Sequence, residues 1–256
     1  MNTIPSVITA EQMRKADFIL SSPYAKLSSL SRSELKDLAV VWCYYSGKIE
    51  GNTYTFVETE ALIKDGITSE KRYEDAKMLK NLYNIFVSEV GYITQTAPEL
   101  IDDKLLLRVH GRIAEGLISD EDLGQVRDRA VAISGTSYRP PKHRRELMMH
   151  LSEILYVQDL LSHPLEQAIY LHCNIARLRP FIDGNKRTAC LIEAICLMNH
   201  GLIPVYSAKD ADILAYRRGL IAFYESGDYG LYTDYFLDRQ IERINEIADE
   251  NERYVQ

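Results

Sequence analysis

Residues 180–188, Pro-Phe-Ile-Asp-Gly-Asn-Lys-Arg-Thr, place a carboxylate, an amide and two cations within a few consecutive positions. The apolar run 189–198 follows directly, which predicts that a helix begins at this loop. The first turn of a helix has free N–H groups and the positive end of the helix dipole, and both attract anions. Lys186 and Arg187 add formal charge, and Asp183 has the ligand type that holds a divalent ion against phosphates. The loop therefore predicts a phosphate-binding site. The alternative is a plain turn, because Asp, Gly and Asn all tolerate turn geometry.

The elements that must position this loop are mostly helical. Apolar residues recur near a 3.6-residue period, and turn signals such as Asp65-Gly66 and His163-Pro164 separate the periodic segments. The predicted helices are 8–20, 33–49, 56–64, 69–94, 98–117, 144–160, 164–178, 184–199, 208–225 and 229–250. These segments predict a mostly α fold.

Composition narrows the class of protein. At 256 residues and 46% hydrophobic, the chain can bury a large core, and no apolar run reaches the ~18 residues that a membrane helix needs. The net charge of −7 argues against a broad nucleic-acid surface. The four cysteines, Cys43, Cys173, Cys190 and Cys196, lack metal-site spacing, and we interpret them as free thiols. We expect a cytoplasmic protein with no membrane or nucleic-acid partner.

Residues 126–141 depart most from the helical pattern. Val131-Ala132-Ile133 is a short β-type run, and Pro140-Pro141 fixes an extended backbone. The segment is either an ordinary surface loop or a short hairpin that presents its edge to another chain. The sequence pattern favours neither.

Three segments in order resemble the Fic domain family. Its signature, His-Pro-Phe-x-(Asp/Glu)-Gly-Asn-(Gly/Lys)-Arg-x-x-Arg, is similar to residues 179–190. Residues 133–141 resemble the family's β-hairpin flap, which aligns a target segment by strand pairing. Residues 46–52 resemble its autoinhibitory motif, (Ser/Thr)-x-x-x-Glu-(Gly/Asn). The resemblance covers most of residues 40–240.

The resemblance implies a Fic-type helical core with a small β-hairpin flap. It also implies ATP with Mg²⁺ and transfer of AMP to a hydroxyl of a target protein that docks at the flap. The implied domains are an N-terminal helical region at 1–95 with the inhibitory motif, the Fic core at 96–245 and a polar tail at 246–256. The sequence leaves open whether the chain forms a homo-oligomer.

Site residues follow from the same resemblance, residue by residue. Asp183 is similar to the metal-holding carboxylate, and Ser46 and Glu50 to the regulatory pair. The implied nucleotide-binding residues are Asp183, Gly184, Asn185, Lys186 and Arg187. The implied target-binding residues of the flap are Ile133, Gly135, Thr136 and Tyr138. Tyr216, Tyr224 and Tyr229 lie where such proteins receive adenine, although we favour core packing for them.

Two positions depart from the family pattern. Arg179 replaces the essential His, which accepts a proton from the attacking hydroxyl. Arginine has no acceptor, so we expect transfer to be reduced by at least about 10²–10⁴-fold. Cys190 replaces the second arginine, with which the inhibitory glutamate pairs in the family. We therefore expect Glu50 to meet Arg179 or Arg187 instead; the alternative is that it faces water. His172, two turns before Arg179, is interpreted as a core histidine rather than a substitute base.

The leading hypothesis is thus a Fic-type adenylyltransferase scaffold, a nucleotidyltransferase fold whose general base is replaced, with inhibition through Glu50. A non-catalytic pseudoenzyme that binds nucleotide or a partner is the main alternative, and such a partner would use the edge at 131–136. A Doc-like phosphotransferase is a further alternative, since Lys186 follows the Asn as in Doc toxins. Removal of AMP on the same scaffold also stays open. The sequence does not separate a natural Arg179 from a substituted one.

Overall fold

The computed structural model describes the backbone of residues 6–255 and the side chains of residues 6–250. Ten helices make up most of this part of the chain. They are α1 (Ala10–Ser21), α2 (Arg32–Lys48), α3 (Phe56–Lys64), α4 (Tyr73–Gln95), α5 (Asp103–Ala114), α6 (Arg144–Leu160), α7 (Pro164–Leu178), α8 (Asn185–Asn199), α9 (Asp210–Ser226) and α10 (Gly230–Val255). The predicted mostly α fold is confirmed. Within the described range, no helix is both long and apolar enough to cross a bilayer.

Local capping explains several of the helix bounds. The Ser31 hydroxyl accepts from the Glu34 N–H, and the Glu34 carboxylate accepts from the Ser31 N–H, which closes a capping box at the start of α2. The same reciprocal pair, between Thr55 and Glu58, begins α3. Pro164 stands at the first position of α7, where its missing N–H costs nothing. These signals are local, and the predicted bounds of α3, α6 and α7 match the observed ones.

Helix α8 lies at the centre of the molecule. Its residues 187–198 are all buried, and a helix buried on every side must be covered by neighbours all round. It packs mainly on α7, with further contacts to α2, α4 and α5. Helices α9 and α10 pack on each other and on α7. The loop that precedes α8 therefore leads directly into the most buried helix of the fold.

The predicted β-hairpin is not confirmed. The structure contains no strand within its described residues, only an isolated bridge between Lys26 and Leu202. In place of strand pairing, the segment is attached to α9: the Glu225 carboxylate accepts from the Thr136 hydroxyl at 2.5 Å and from the Ser137 N–H at 2.5 Å. One Glu225 carboxylate therefore binds both a hydroxyl and a backbone N–H of this segment. Of the two interpretations of residues 126–141, the irregular loop describes the observed backbone.

Candidate anion-binding site

Two left-handed residues shape the loop between α7 and α8. Arg179 ends α7 with φ 49° and ψ 61°, and it is the one positive-φ residue other than glycine in the described chain. Gly184 precedes α8 with φ 72°. A Cβ at Gly184 would meet Arg187 Nη2 at 3.4 Å and His110 Cδ2 at 3.7 Å. Glycine thus suits this position both for its backbone angle and for the close approach of two side chains.

Arg127 fastens the first half of the loop. Its buried guanidinium donates from Nε to the Arg179 carbonyl at 2.7 Å, and its backbone N–H donates to the Pro180 carbonyl at 2.9 Å. Burial, and then the nearby Arg179 charge, lower the pKa of Arg127. A buried cation that binds carbonyl oxygens holds a backbone in place, because each carbonyl would otherwise lose its partner.

His110 on α5 fastens the second half of the loop, and no pattern in the sequence distinguishes it from an ordinary core residue. Its ring stacks on Phe181 with centroids 3.8 Å apart and an interplanar angle of 1°. Nδ1 accepts from the Gly124 N–H at 3.1 Å, so Nε2 carries the proton and donates to the Asp183 carbonyl at 3.2 Å. Burial lowers the pKa of His110 to about 4, so the ring is neutral at pH 7.

Asn185 closes the loop on itself. Its Oδ1 accepts from the Phe181 N–H at 2.9 Å, and its Nδ2 donates to the Phe181 carbonyl at 2.9 Å. Both ends of the buried amide are therefore engaged within the loop. The backbone N–H groups at the start of α8 lack partners within the helix. They are therefore the groups that this position offers to an anion.

Arg187 brings unpaired donors to the same place. The side chain is 1% exposed, and Nη2 donates to Asp183 Oδ2 at 2.7 Å. Its Nε and Nη1 are buried and have no hydrogen-bond partner among the described residues. Unsatisfied buried donors are costly, at about 1–3 kcal/mol each. An anion beside the loop would satisfy them.

Glu50 pairs with Lys186, which corrects the expected pairing with Arg179 or Arg187. The carboxylate lies 3.0 Å from Lys186 Nζ, and the same Nζ donates to the Ile49 carbonyl at 2.8 Å. Both expected partners are engaged elsewhere, since Arg187 binds Asp183 and Arg179 Nη1 donates to the Ala132 carbonyl at 2.9 Å. The alternative that Glu50 faces water is also wrong, because only 12% of its side chain is exposed. Ser46, one turn earlier on α2, is buried.

A cleft of about 320 Å³ opens beside the loop. Three of the five predicted site residues with a formal charge line the cleft, whereas Asp183 and Arg187 do not, and two of the three tyrosines line it as well. It is lined by Glu50, Ile133, Ser134, Arg179, Lys186, Tyr216, Arg217, Leu220, Ile221 and Tyr224. Tyr229 lies elsewhere and accepts from Asn174 Nδ2 at 2.8 Å.

The predicted flap residues divide into two groups. Ile133 is buried and lines the cleft. Thr136 donates to Glu225, and the Tyr138 ring lies under the Arg177 guanidinium at 4.2 Å. Gly135 has φ 82° at the turn between these groups. The segment is thus fixed to α9 at one end and to the cleft at the other.

His172 is a core residue, as interpreted from the sequence. Its Nδ1 lies 3.2 Å from the buried Glu193 carboxylate, and its Nε2 lies 3.1 Å from the Tyr216 hydroxyl. Tyr232 donates to the same Glu193 oxygen at 2.6 Å. These contacts bury His172 among core side chains. Cys190 is also buried, and burial raises the pKa of its thiol well above the usual value, which keeps it neutral.

Part of the chain matches a known protein family. Residues 100–197 match the model of the Fic/DOC family. A Culex quinquefasciatus protein named protein adenylyltransferase Fic is 30% identical over 209 residues, which cover 78% of this chain and 40% of that protein. The chain thus spans about two fifths of the length of this relative.

Two solved structures have a similar fold. A Fic family protein from Desulfovibrio desulfuricans G20 matches with a TM-score of 0.79 at 19% identity, covering 97% of this chain and 77% of that one. Fic-1 from C. elegans matches with a TM-score of 0.72 at 19% identity, covering 92% and 70%. At this identity the likeness supports the fold.

Proposed function

The chain carries a domain of the Fic/DOC family over residues 100–197, and from that premise we propose that it is a protein adenylyltransferase scaffold. It binds ATP with Mg²⁺ at the loop before α8, and AMP would pass to a hydroxyl of a target protein. The observation that carries this proposal is the pair of buried, unpaired donors of Arg187 beside the free N–H groups of α8. The name of the Culex relative supports the reaction class.

Asp183 would hold the metal. Mg²⁺ usually binds through one or two carboxylates together with substrate phosphates and water. The Asp183 side chain is 58% exposed, and its second oxygen is not used by Arg187. No group of three metal-ligating side chains occurs among the described residues, so the nucleotide phosphates would have to supply the other ligands. The donor set fits a metal that arrives with ATP.

Glu50 would restrain binding. Its carboxylate neutralises Lys186, which is a cation that a phosphate group would need. The pair is largely buried, so its Coulomb attraction is less weakened by solvent than that of a surface pair. ATP must therefore displace Glu50 from Lys186 before the phosphates reach that side chain. We propose that residues 46–52 inhibit the protein through this competition for Lys186.

Arg179 would impair transfer. A target hydroxyl must lose a proton as it attacks phosphorus, and a protonated guanidinium offers no acceptor for it. Arg179 Nη1 also donates to the Ala132 carbonyl, one of the backbone groups at which a target strand would pair. This second contact favours the alternative function, in which the chain binds nucleotide without transferring AMP.

We also propose that the chain divides into an N-terminal helical region at 1–95, a Fic core at 96–245 and a polar tail at 246–256.

Restoring the base tests the proposal. With ATP labelled on the α-phosphate, Arg179→His combined with Glu50→Gly should transfer label to protein, whereas Arg179→Gln with Glu50→Gly should not. If the first double variant stays inert, Cys190→Arg is added. Persistent inactivity of that triple variant, with its fold intact, would contradict the transferase proposal. Retained ATP binding in the same protein would then support the nucleotide-binding alternative.

A further inference from the structure

A cation outside the motif loop reaches the same cleft. Arg217 lines it from α9, and its Nη2 lies 3.4 Å from the Ile49 carbonyl oxygen. That oxygen also accepts from Lys186 Nζ at 2.8 Å. Two cationic side chains from different helices therefore converge on one carbonyl. In the part of the chain that the structure describes, Arg217 forms no ion pair with a carboxylate.

Two of the three cations of the motif loop are offset by carboxylates, and the third, Arg179, binds a backbone carbonyl. Lys186 is paired with Glu50, and Arg187 is paired with Asp183. One turn beyond Lys186 on α8, Cys190 is buried and neutral. A nucleoside triphosphate brings several negative charges, and further cations are needed to bind the phosphates beyond the first. Arg217 is a cation of the cleft whose charge no carboxylate of the described chain offsets.

We propose that Arg217 binds the outer phosphates of a nucleoside triphosphate and makes the cleft prefer triphosphates to monophosphates. A guanidinium suits this role, because its planar fork donates two parallel hydrogen bonds to a phosphate and stays charged. Its Ile49 contact is long and exchangeable, so the side chain is free to turn toward a ligand. The assignment rests on the proposed function, since it takes the cleft to be the nucleotide site.

Titration calorimetry with AMP, ADP and ATP, each with Mg²⁺, tests the assignment. Arg217→Gln should weaken ATP binding by at least about tenfold, as expected for loss of a charge-assisted hydrogen bond. AMP binding should change by less than about twofold, because AMP lacks the outer phosphates. Arg218→Gln is the matched control: it removes an exposed charge next in sequence, outside the cleft lining, and should leave both affinities unchanged.

The outcomes separate this inference from the function on which it rests. If unmodified protein binds none of the three nucleotides, both the proposed function and the role of Arg217 are wrong. If it binds ATP but Arg217→Gln keeps the same ATP-to-AMP ratio, the role of Arg217 alone is wrong. Arg217→Lys keeps the charge but loses the planar guanidinium. Its ATP affinity should therefore lie between that of the unmodified protein and that of Arg217→Gln. Equal weakening by Arg218→Gln would also overturn the assignment, because it would indicate general attraction.

Discussion

The Glu50 carboxylate lies 3.0 Å from the Lys186 ammonium, so the end of α2 is joined to the first turn of α8 by an ion pair. The pair brings together two segments far apart in the sequence, one that resembles an inhibitory motif and the other with the proposed anion-binding loop. The phosphates of ATP would therefore compete with the Glu50 carboxylate for Lys186. Several expectations depend on it and on the residues that hold the loop.

Glu50→Gln should increase ATP affinity by about tenfold, because Lys186 becomes available to phosphate without displacing a charged partner. Calorimetric titration with ATP and Mg²⁺ measures the change. Glu60→Gln is the matched control, since it breaks an exposed ion pair with Lys64 on α3. Equal affinity in the Glu50→Gln and unmodified proteins would show that the pair does not restrain binding.

Arg127→Ala should lower the free energy of unfolding by about 2–4 kcal/mol, because it leaves the carbonyl groups of the loop without their buried donor. Urea unfolding checks this value. Arg129→Ala removes an exposed guanidinium that pairs with Asp122, and should cost less than about 1 kcal/mol. Similar losses in both variants would contradict the role given to Arg127.

His110 should make stability depend on pH in acid. Its folded pKa of about 4 lies below the ordinary value of 6.5, so between these values the unfolded chain binds a proton that the folded chain does not. The free energy of unfolding should therefore be unaffected by this group above pH 6.5 and should fall as the pH drops toward 4. The full loss is about 3 kcal/mol.

Urea unfolding at pH 7 and pH 5 isolates this contribution. His110→Gln should make the difference between the two pH values smaller, because the titrating group is gone. If His110→Gln keeps the full pH dependence, burial of His110 is not its cause.

Local sequence signals predicted the helices well. They did not predict which side chains from distant parts of the sequence pair with each other. The N-cap residue Thr55 and the first helical residue Pro164 act within one turn, so the bounds of α3 and α7 were predictable. The partner of Glu50 was not, because it depends on how α2 packs against α8. The position of His110 on Phe181 likewise depends on the packing of α5.

The hairpin and the loop amide illustrate the same limit. A β-type run at 131–133 has strand propensity, but Glu225, from a distant helix, takes the hydrogen bonds of the neighbouring residues. Asn185 fits the motif, yet its side chain binds the Phe181 backbone. The motif thus predicted a loop in which carboxylate, amide and cationic side chains lie together, and the site assigned to that loop stays a prediction. The motif did not predict which groups stay free to meet a ligand.

A crystal structure of the chain with Mg²⁺ and a non-hydrolysable ATP analogue would show directly whether the loop before α8 binds the nucleotide. We expect phosphate oxygens within hydrogen-bond distance of the first N–H groups of α8 and of Arg187 Nε or Nη1, with Glu50 displaced from Lys186. Density for the analogue elsewhere, with the Glu50–Lys186 pair intact and the Arg187 donors still unpaired, would contradict it.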